Sequence, residues 1–425
     1  MTKFKDYIMK RLDSYKIFIL LSFVSQLLFS LIFTVNLLYH VNVAKLNPLQ
    51  LILIGTILEA SVFLFEIPTG IVADTKSRKL SIVIGYILIG ISFIIEGFFP
   101  FFYTIALSQV FWGIGYTFTS GATQAWITDE IGEEKAGSAF IKGAQAGQAG
   151  ELIAIPISVV VGLIAINLPI IFGGILMIIL AMFLTIAMQE HGFKPKSKEE
   201  ISNLGSMIKT VKTIRLYIKG NHILILLLVI GIFYGLYSEG FDRLWTAHFV
   251  EDFKSSIITE FNPIMFIGVI RAVLMILSII ALGILNKKLN FKKSNHVISV
   301  LIISTIVIII ALAGFSIFKN LYIVIAFFWT IGIMRSLIGP LLDSWLNSLI
   351  TNPNIRATVF SLRGQVDAIG QIGGGPIVGV FGKLFSIKIA LLVSAIILSP
   401  VIIIYCIIIK NSKKLNSIKE SSEIS

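Results

Sequence analysis

Twelve runs of about twenty mostly apolar residues, parted by short polar or charged segments, dominate this chain of 425 residues. They fall at roughly 17–40, 48–73, 80–97, 101–125, 139–164, 168–189, 221–249, 262–285, 295–317, 320–347, 357–383 and 386–409. Backbone N–H and C=O groups in hydrocarbon find no water, so only helices and closed barrels can span it. These runs lack the strict alternation of barrel strands. Charged residues make up 14% of the chain, against about 25% in soluble domains. The expected fold is therefore an all-α membrane protein of twelve transmembrane helices. The basic stretch 1–16 is followed by an apolar run too long for the h-region of a cleaved signal, so 17–40 reads as the first span.

The charge pattern sets an expected orientation. Segments on the N-terminal side of the membrane hold 25 Lys and Arg, and the opposite loops hold five, namely Lys45, Lys254, Lys319, Lys383 and Lys388. Positive charge marks the cytoplasmic side, so both termini are expected there, in a multi-pass protein of the cell membrane. The net charge of +12 is then a topology signal, and nucleic acid is not an expected partner. Lys- and Ser-rich residues 190–220 separate span six from span seven, and 208–217 form an amphipathic piece suited to the membrane surface.

The two groups of six spans look related. At one nearly constant shift Trp126 meets Trp345, Phe140 meets Phe360, Gln145 meets Gln365, Gly150 meets Gly370 and Pro156 meets Pro376. Six spans separate the copies, so both run the same way through the membrane. Parallel six-helix repeats are a transporter architecture. The expected organisation is a first half at 1–189, a linker at 190–220, a second half at 221–411 and a cytoplasmic tail at 412–425.

Between spans two and three the chain reads Glu66-Ile67-Pro68-Thr69-Gly70-Ile71-Val72-Ala73-Asp74, then Thr75, Lys76, Ser77, Arg78 and Lys79. Gly70, Asp74, Arg78 and Lys79 resemble the cytoplasmic signature of the major facilitator superfamily. Thr75 stands where a basic residue is usual, and Ser77 replaces the second glycine. Gly283 to Lys288 is a degenerate copy without the aspartate. Glu66 to Gly70 and Ala125-Trp126-Ile127-Thr128-Asp129 are further similar to macrolide- and tetracycline-type drug-efflux branches. That resemblance implies alternating access and a latch. In it Asp74 faces the start of span eleven near Arg356, while Arg78 and Lys79 pair with Asp129 or Glu130. Antiporters of the superfamily carry a Gly-Pro motif in span five. Here Pro156 lacks the glycines, and Gly373 to Gly375 with Pro376 sit in span eleven.

Ionisable residues within spans are costly and mark functional positions. Glu59 and Glu66 share one face of span two, and Glu151 closes a polar stripe of Lys142, Gln145 and Gln148 on span five. These three carboxylates are the candidates for proton coupling. Glu239, Asp242, Arg243, Arg271, Arg335, Arg363 and Asp367 form an expected intramembrane charge network, with Glu239–Arg243 and Arg363–Asp367 spaced four apart for local pairing. Trp112, Tyr116, Gln145, Gln148, Tyr234 and Tyr237 are candidate linings of a substrate cavity. Packing or interface belts are the ordinary use of most such aromatics.

No phosphate-binding loop, metal cluster or catalytic constellation appears, so neither an enzyme, a cofactor nor a bound metal is expected. The lone Cys406 excludes an intramolecular disulfide. His40, His191, His222, His248 and His296 lie singly near span ends, as interface residues do. The chain reads as a monomeric secondary transporter moving a small molecule with protons, with efflux of apolar or cationic compounds ahead of uptake or lipid and metabolite carriage. A non-transporting receptor or scaffold is the third reading.

Overall fold

The computed structural model describes residues 13–195, 221–253, 262–288, 294–350 and 356–410. The expected amphipathic piece at 208–217, most of the linker and the tail at 412–425 lie outside the described residues. All regular structure among the described residues is helical. The helices are α1 Ser14–Phe33, α2 Asn36–Asn42, α3 Pro48–Thr75, α4 Arg78–Phe98, α5 Phe102–Thr119, α6 Ala122–Ile131, α7 Glu133–Ile164 and α8 Leu168–Ala187. They continue with α9 His222–Asp252, α10 Pro263–Lys288, α11 Ser294–Ile317, α12 Leu321–Leu349, α13 Arg356–Leu384 and α14 Ile387–Leu398.

Polar caps set the starts of these apolar helices. Asp13 accepts from the Lys16 amide, Asn47 and Gln50 form a reciprocal capping box, and Ser77 opens α4 by accepting from the Leu80 amide. Each side chain satisfies an amide that has no partner within its helix. Among the described residues ten spans, α1 with α2 counted as one, are long and apolar enough to cross a membrane. The other two are α13, which carries Arg363 and Asp367, and the pair α5–α6.

Three expected spans are interrupted. The first bends at Thr34–Val35, between α1 and α2. The fourth breaks at Ser120–Gly121, where Gly121 takes a φ of 69°, a backbone state that glycine adopts without a Cβ penalty. The last breaks at Ser399 before a further helical stretch at 400–410, because Pro400 cannot donate to the turn before it. Pro68, Pro156, Pro340 and Pro376 instead sit inside continuous helices.

The chain packs as two units. One holds α1–α8 together with the first turns of α10, up to Ala272, and the other holds α9, the rest of α10 and α11–α14. Within each unit the helices pair alike. Spans one and five associate as α1–α7, and spans seven and eleven as α9–α13. Spans three and six associate as α4–α8, and spans nine and twelve as α11–α14.

Small residues bring these helices close, since lipid tails offer no hydrophobic drive to association. The α-carbon of Gly150 faces the Phe23 carbonyl of α1, and Gly370 faces the Ile232 carbonyl of α9. These two glycines are repeat equivalents, and a side chain at either would collide with backbone. Trp126 and Trp345 are likewise both buried. Trp126 donates its indole N–H to the Gln189 carbonyl at 2.7 Å, and Trp345 packs its ring 6.3 Å from that of Tyr405.

Candidate transport site

The signature turn joins α3 to α4. Arg78 Nη1 bonds the Asp74 carboxylate one turn earlier, and Arg78 Nε lies 3.5 Å from Asp129 Oδ2 on α6. One guanidinium therefore ties the ends of spans two, three and four. Glu130 takes the Ser14 hydroxyl at 3.2 Å and the backbone amides of His191 and Gly192 at 2.6 and 2.7 Å. Lys79 reaches the end of span six as well. Its ammonium donates to the Met188 carbonyl at 2.8 Å, and its backbone amide donates to Glu190.

Glu190 falls at the start of the expected linker, yet it is the second anchor of this turn. The Ser77 hydroxyl donates to Glu190 Oε2 at 2.6 Å. Serine at the family's glycine position thus caps α4 and binds the end of span six at once. Gly70 makes no tight contact, with open space where its Cβ would be. The side chain of Arg356 lies outside the described residues.

A cavity of about 560 Å³ opens in the first unit. Phe18, Tyr86, Tyr116 and Phe140 give it aromatic walls, while Ser22, Gln26, Ser120, Gln124 and Gln148 give hydroxyls and amides. Glu151 is the one carboxylate among its described lining residues. Ser30 donates to the backbone carbonyl of Glu151, leaving the carboxylate uncommitted to that bond. The charge of Glu151 acts on Arg271, whose Nη1 donates to the Phe33 carbonyl where α1 ends. Arg271 comes from α10, more than a hundred residues on, so no local spacing announces this pairing.

Glu59 and Glu66 are half-buried on α3, outside the lining of that cavity. Both act electrostatically on the phenol of Tyr116, which does line it and is 47% exposed. Of the other lining candidates in this unit, Gln148 lies on the wall, whereas Gln145 is exposed on α7 outside the lining, as is Lys142 of the same polar stripe. Trp112 is also removed from it. Its ring packs 5.0 Å from Phe33 and 5.4 Å from Phe93, inside an aromatic cluster.

The second unit contains a smaller cavity of about 190 Å³ with a more polar wall. Tyr234, Tyr237 and Asp242 reach it from α9, Arg335 from α12, and Arg363, Asp367 and Gln371 from α13. Arg335 clasps Asp242 through two N–H···O bonds of 2.5 and 2.7 Å, the fork geometry that makes such pairs strong. Its guanidinium also stands 5.9 Å from the Tyr237 ring and 5.5 Å from that of Phe241. Glu239 and Arg243 form the expected local pair at 3.2 Å. The expected Arg363–Asp367 pair does not form. Arg363 bonds Asp343 of α12, a residue that no spacing in the sequence singles out, and Asp367 accepts from Gln371 Nε2 at 2.8 Å. Helical spacing permits the local pair, but Asp343 offers Arg363 a partner across the helix interface.

Two histidines expected at the interface are in fact buried. His40 Nε2 lies 2.8 Å from Glu96 Oε1, and His248 bonds both the Phe315 carbonyl and Asp252. Glu96 is not among the residues that the sequence patterns picked out. Its position within the apolar run of span three, opposite Ser108 and Gln109 of span four, is the signal that could have found it.

Residues 18–298 match the Major Facilitator Superfamily. An uncharacterized MFS-type transporter of Bacillus subtilis (strain 168), YxaM, is 25% identical over 391 residues, covering 88% of this chain and 92% of that protein. The nucleoside transporter NupG superposes with a TM-score of 0.72 at 16% identity, covering 94% of this chain and 100% of that one. A bacterial homolog of the human lysosomal transporter Spinster, inward-facing and unoccupied, gives 0.71 at 13% identity, covering 94% and 96%. A POT family transporter in complex with a thioalcohol-conjugated peptide gives 0.68 at 16% identity, covering 94% and 96%. These likenesses establish the fold, and the match over 18–298 establishes the lineage: the chain belongs to the Major Facilitator Superfamily, and is a multi-pass membrane transporter rather than an enzyme.

Proposed function

We propose that this chain is a proton-coupled exporter of small apolar or cationic compounds. It works by alternating access as a monomer in the cell membrane, with both termini cytoplasmic. The observation that carries this reading is the place of Glu151 on the wall of the larger cavity, among the same lining residues as Gln148 and Tyr116. A carboxylate kept at membrane depth is costly unless it is used or neutralised. On a cavity wall it can take a proton from one side and surrender it on the other. Glu59 and Glu66 act on the same tyrosine and form the second and third positions of a relay. The outward direction rests on the likeness of 66–70 and 125–129 to exporter branches. Arg78, held between Asp74 and Asp129, is the core of a latch that must loosen when the carrier turns over.

A second reading is uptake of a polar metabolite. The hydroxyl- and amide-rich wall of the first cavity favours it, and relatives of the same fold carry nucleosides or bind a peptide. Compound accumulation in a drug-sensitive host separates the two. Export lowers the accumulation of dyes or antibiotics and is abolished by a protonophore. Uptake raises proton-dependent accumulation of a metabolite. Cells carrying Glu59→Gln, Glu66→Gln or Glu151→Gln identify the coupling carboxylate, and wild-type behaviour in all three sinks the coupling assignment.

A further inference from the structure

His248 sits in the last turns of α9 with none of its surface exposed. Phe249, Phe253 and Phe315 wall its ring, with centroids 6.4, 5.8 and 4.7 Å away. Its two nitrogens meet two acceptors. Nε2 lies 2.8 Å from the Phe315 carbonyl of α11, and Nδ1 lies 2.6 Å from Asp252 Oδ2. Asp252 Oδ1 in turn lies 2.9 Å from the ammonium of Lys388, at the start of α14.

These partners fix the number of ring protons. A backbone carbonyl only accepts, so Nε2 carries a proton. Two lone pairs 2.6 Å apart would repel, so a proton also stands between Nδ1 and Asp252. The Lys388 ammonium favours the ionised carboxylate, which leaves that proton on the ring. We infer that His248 is held as an imidazolium, and that its second proton clasps the end of α9 to α11. His40, near the end of span one, differs. It meets Glu96 through Nε2, and its Nδ1 has no hydrogen-bond partner, so one ring proton suffices there.

Losing the second proton has a definite consequence. A neutral ring donates through one nitrogen only. The charge-assisted bond to Asp252 is the stronger and is kept, so Nε2 turns a lone pair toward the Phe315 carbonyl. Two buried acceptors then face each other, and the end of α9 loosens from α11. Ser316 still donates to the Lys388 carbonyl at 3.0 Å, so α11 and α14 stay joined. Asp252 is 28% exposed, which gives the proton a way out. Among the described residues, Asp252 and Glu251 on α9 and Lys388 on α14 are the charged groups acting on this ring or its partner. Lys319 before α12 and Lys383 in the last turn of α13 are exposed. Lys319 and Lys388 belong to the loops expected to face away from the cytoplasm, and in that orientation the clasp reads external pH. It acts on the helix that brings Tyr234, Tyr237 and Asp242 to the smaller cavity. The tie is present at low pH and is lost as pH rises through the point where the folded ring gives up its proton.

The test uses the full-length protein in lipid nanodiscs, with isotope-labelled histidine and nuclear magnetic resonance of the ring nitrogens. His248→Gln identifies the His248 signals by their loss. An exposed imidazole is largely neutral at about pH 7.5. There the expected result is two N–H protons on His248 and one on His222, which is exposed. Asp252→Asn should reduce His248 to one N–H at the same pH, because an asparagine amide can donate to a bare Nδ1. That change falls on the same ring, so it identifies His248 even where His248→Gln fails to fold. Raising the pH from about 6 to about 9 should lower the melting temperature of wild type by a few degrees more than that of Asp252→Asn. One N–H on wild-type His248, no ring signal altered in Asp252→Asn, or equal pH dependence of melting in the two proteins overturns the proposal.

Discussion

His40 Nε2 lies 2.8 Å from Glu96 Oε1, and both residues are all but sealed from the surroundings, at 1% and 0% exposure. Three further side chains point at the same carboxylate. Asn36 joins His40 on Oε1, while Ser108 and Gln109 donate to Oε2, each at 2.9 Å. The Tyr39 hydroxyl donates to the Glu96 backbone carbonyl at 2.7 Å. One acid therefore gathers the end of span one, the end of span three and the start of span four. It also secures the short helix α2 beyond the bend at Thr34–Val35.

Removing this acid leaves several buried donors without an acceptor. Breaking a buried pair on one side costs about 3–5 kcal/mol. Glu96→Ala is expected to lower stability by about that amount, read from thermal unfolding in detergent. His40→Ala, which leaves Glu96 its other three donors, should cost less, about 1–3 kcal/mol. Equal melting of wild type and Glu96→Ala would show that the cluster does not hold the unit together.

The turn between α3 and α4 should weaken from the Glu190 side. Glu190 receives both the Ser77 hydroxyl and the Lys79 amide. Ser77→Ala removes a helix cap and one of these bonds, and caps are worth about 0.5–2 kcal/mol. Glu190→Ala removes both bonds. Protease cleavage after Lys76 should rise in both variants, more in the second. No change in either would show that Glu190 does not anchor this turn.

Asp74→Asn separates the latch from the fold. Arg78 keeps Asp129 in that variant, so expression and melting should stay close to wild type while transport falls several-fold. Full transport would show that Asp74 latches nothing.

Close helix crossings give a further check. A Cβ on Gly90 would stand 2.6 Å from the Gly174 carbonyl, and one on Gly174 would stand 2.7 Å from the Gly90 carbonyl. Overpacking a filled interface costs typically about 1–3 kcal/mol. Gly90→Ala and Gly174→Ala should each destabilise by that order, whereas Gly137→Ala, with open space around it, should not. A melting series on the three variants decides this.

What the amino-acid sequence makes legible depends on the range of the interaction. Hydrophobic length announces the spans, and the matched Trp126 and Trp345, Gly150 and Gly370, Pro156 and Pro376 announce the repeat. Both tryptophans are buried, both glycines sit at close helix crossings, and both prolines lie inside continuous helices. Local rules also give Glu239–Arg243, which needs only one helical turn. The same rule chooses Asp367 for Arg363 and misses Asp343, because a one-dimensional spacing cannot weigh a partner on another helix. Glu96 is hidden for the same reason, since its four donors come from two other stretches of chain. Glu190 is hidden by its place just past the last apolar residue of span six. The break at Ser120–Gly121 is masked by apolar residues on both sides, which extend the hydropathy signal across a turn.

Proteoliposomes decide whether export is coupled to protons. Purified protein is reconstituted with a pH indicator inside, and a cationic dye is supplied on the side from which export would draw it. Dye movement and opposite proton movement should occur together. Glu151→Gln should uncouple them, and a protonophore should halt the uphill dye flux. Dye movement indifferent to the pH gradient, or movement of dye and protons in the same direction, would rule proton-coupled export out.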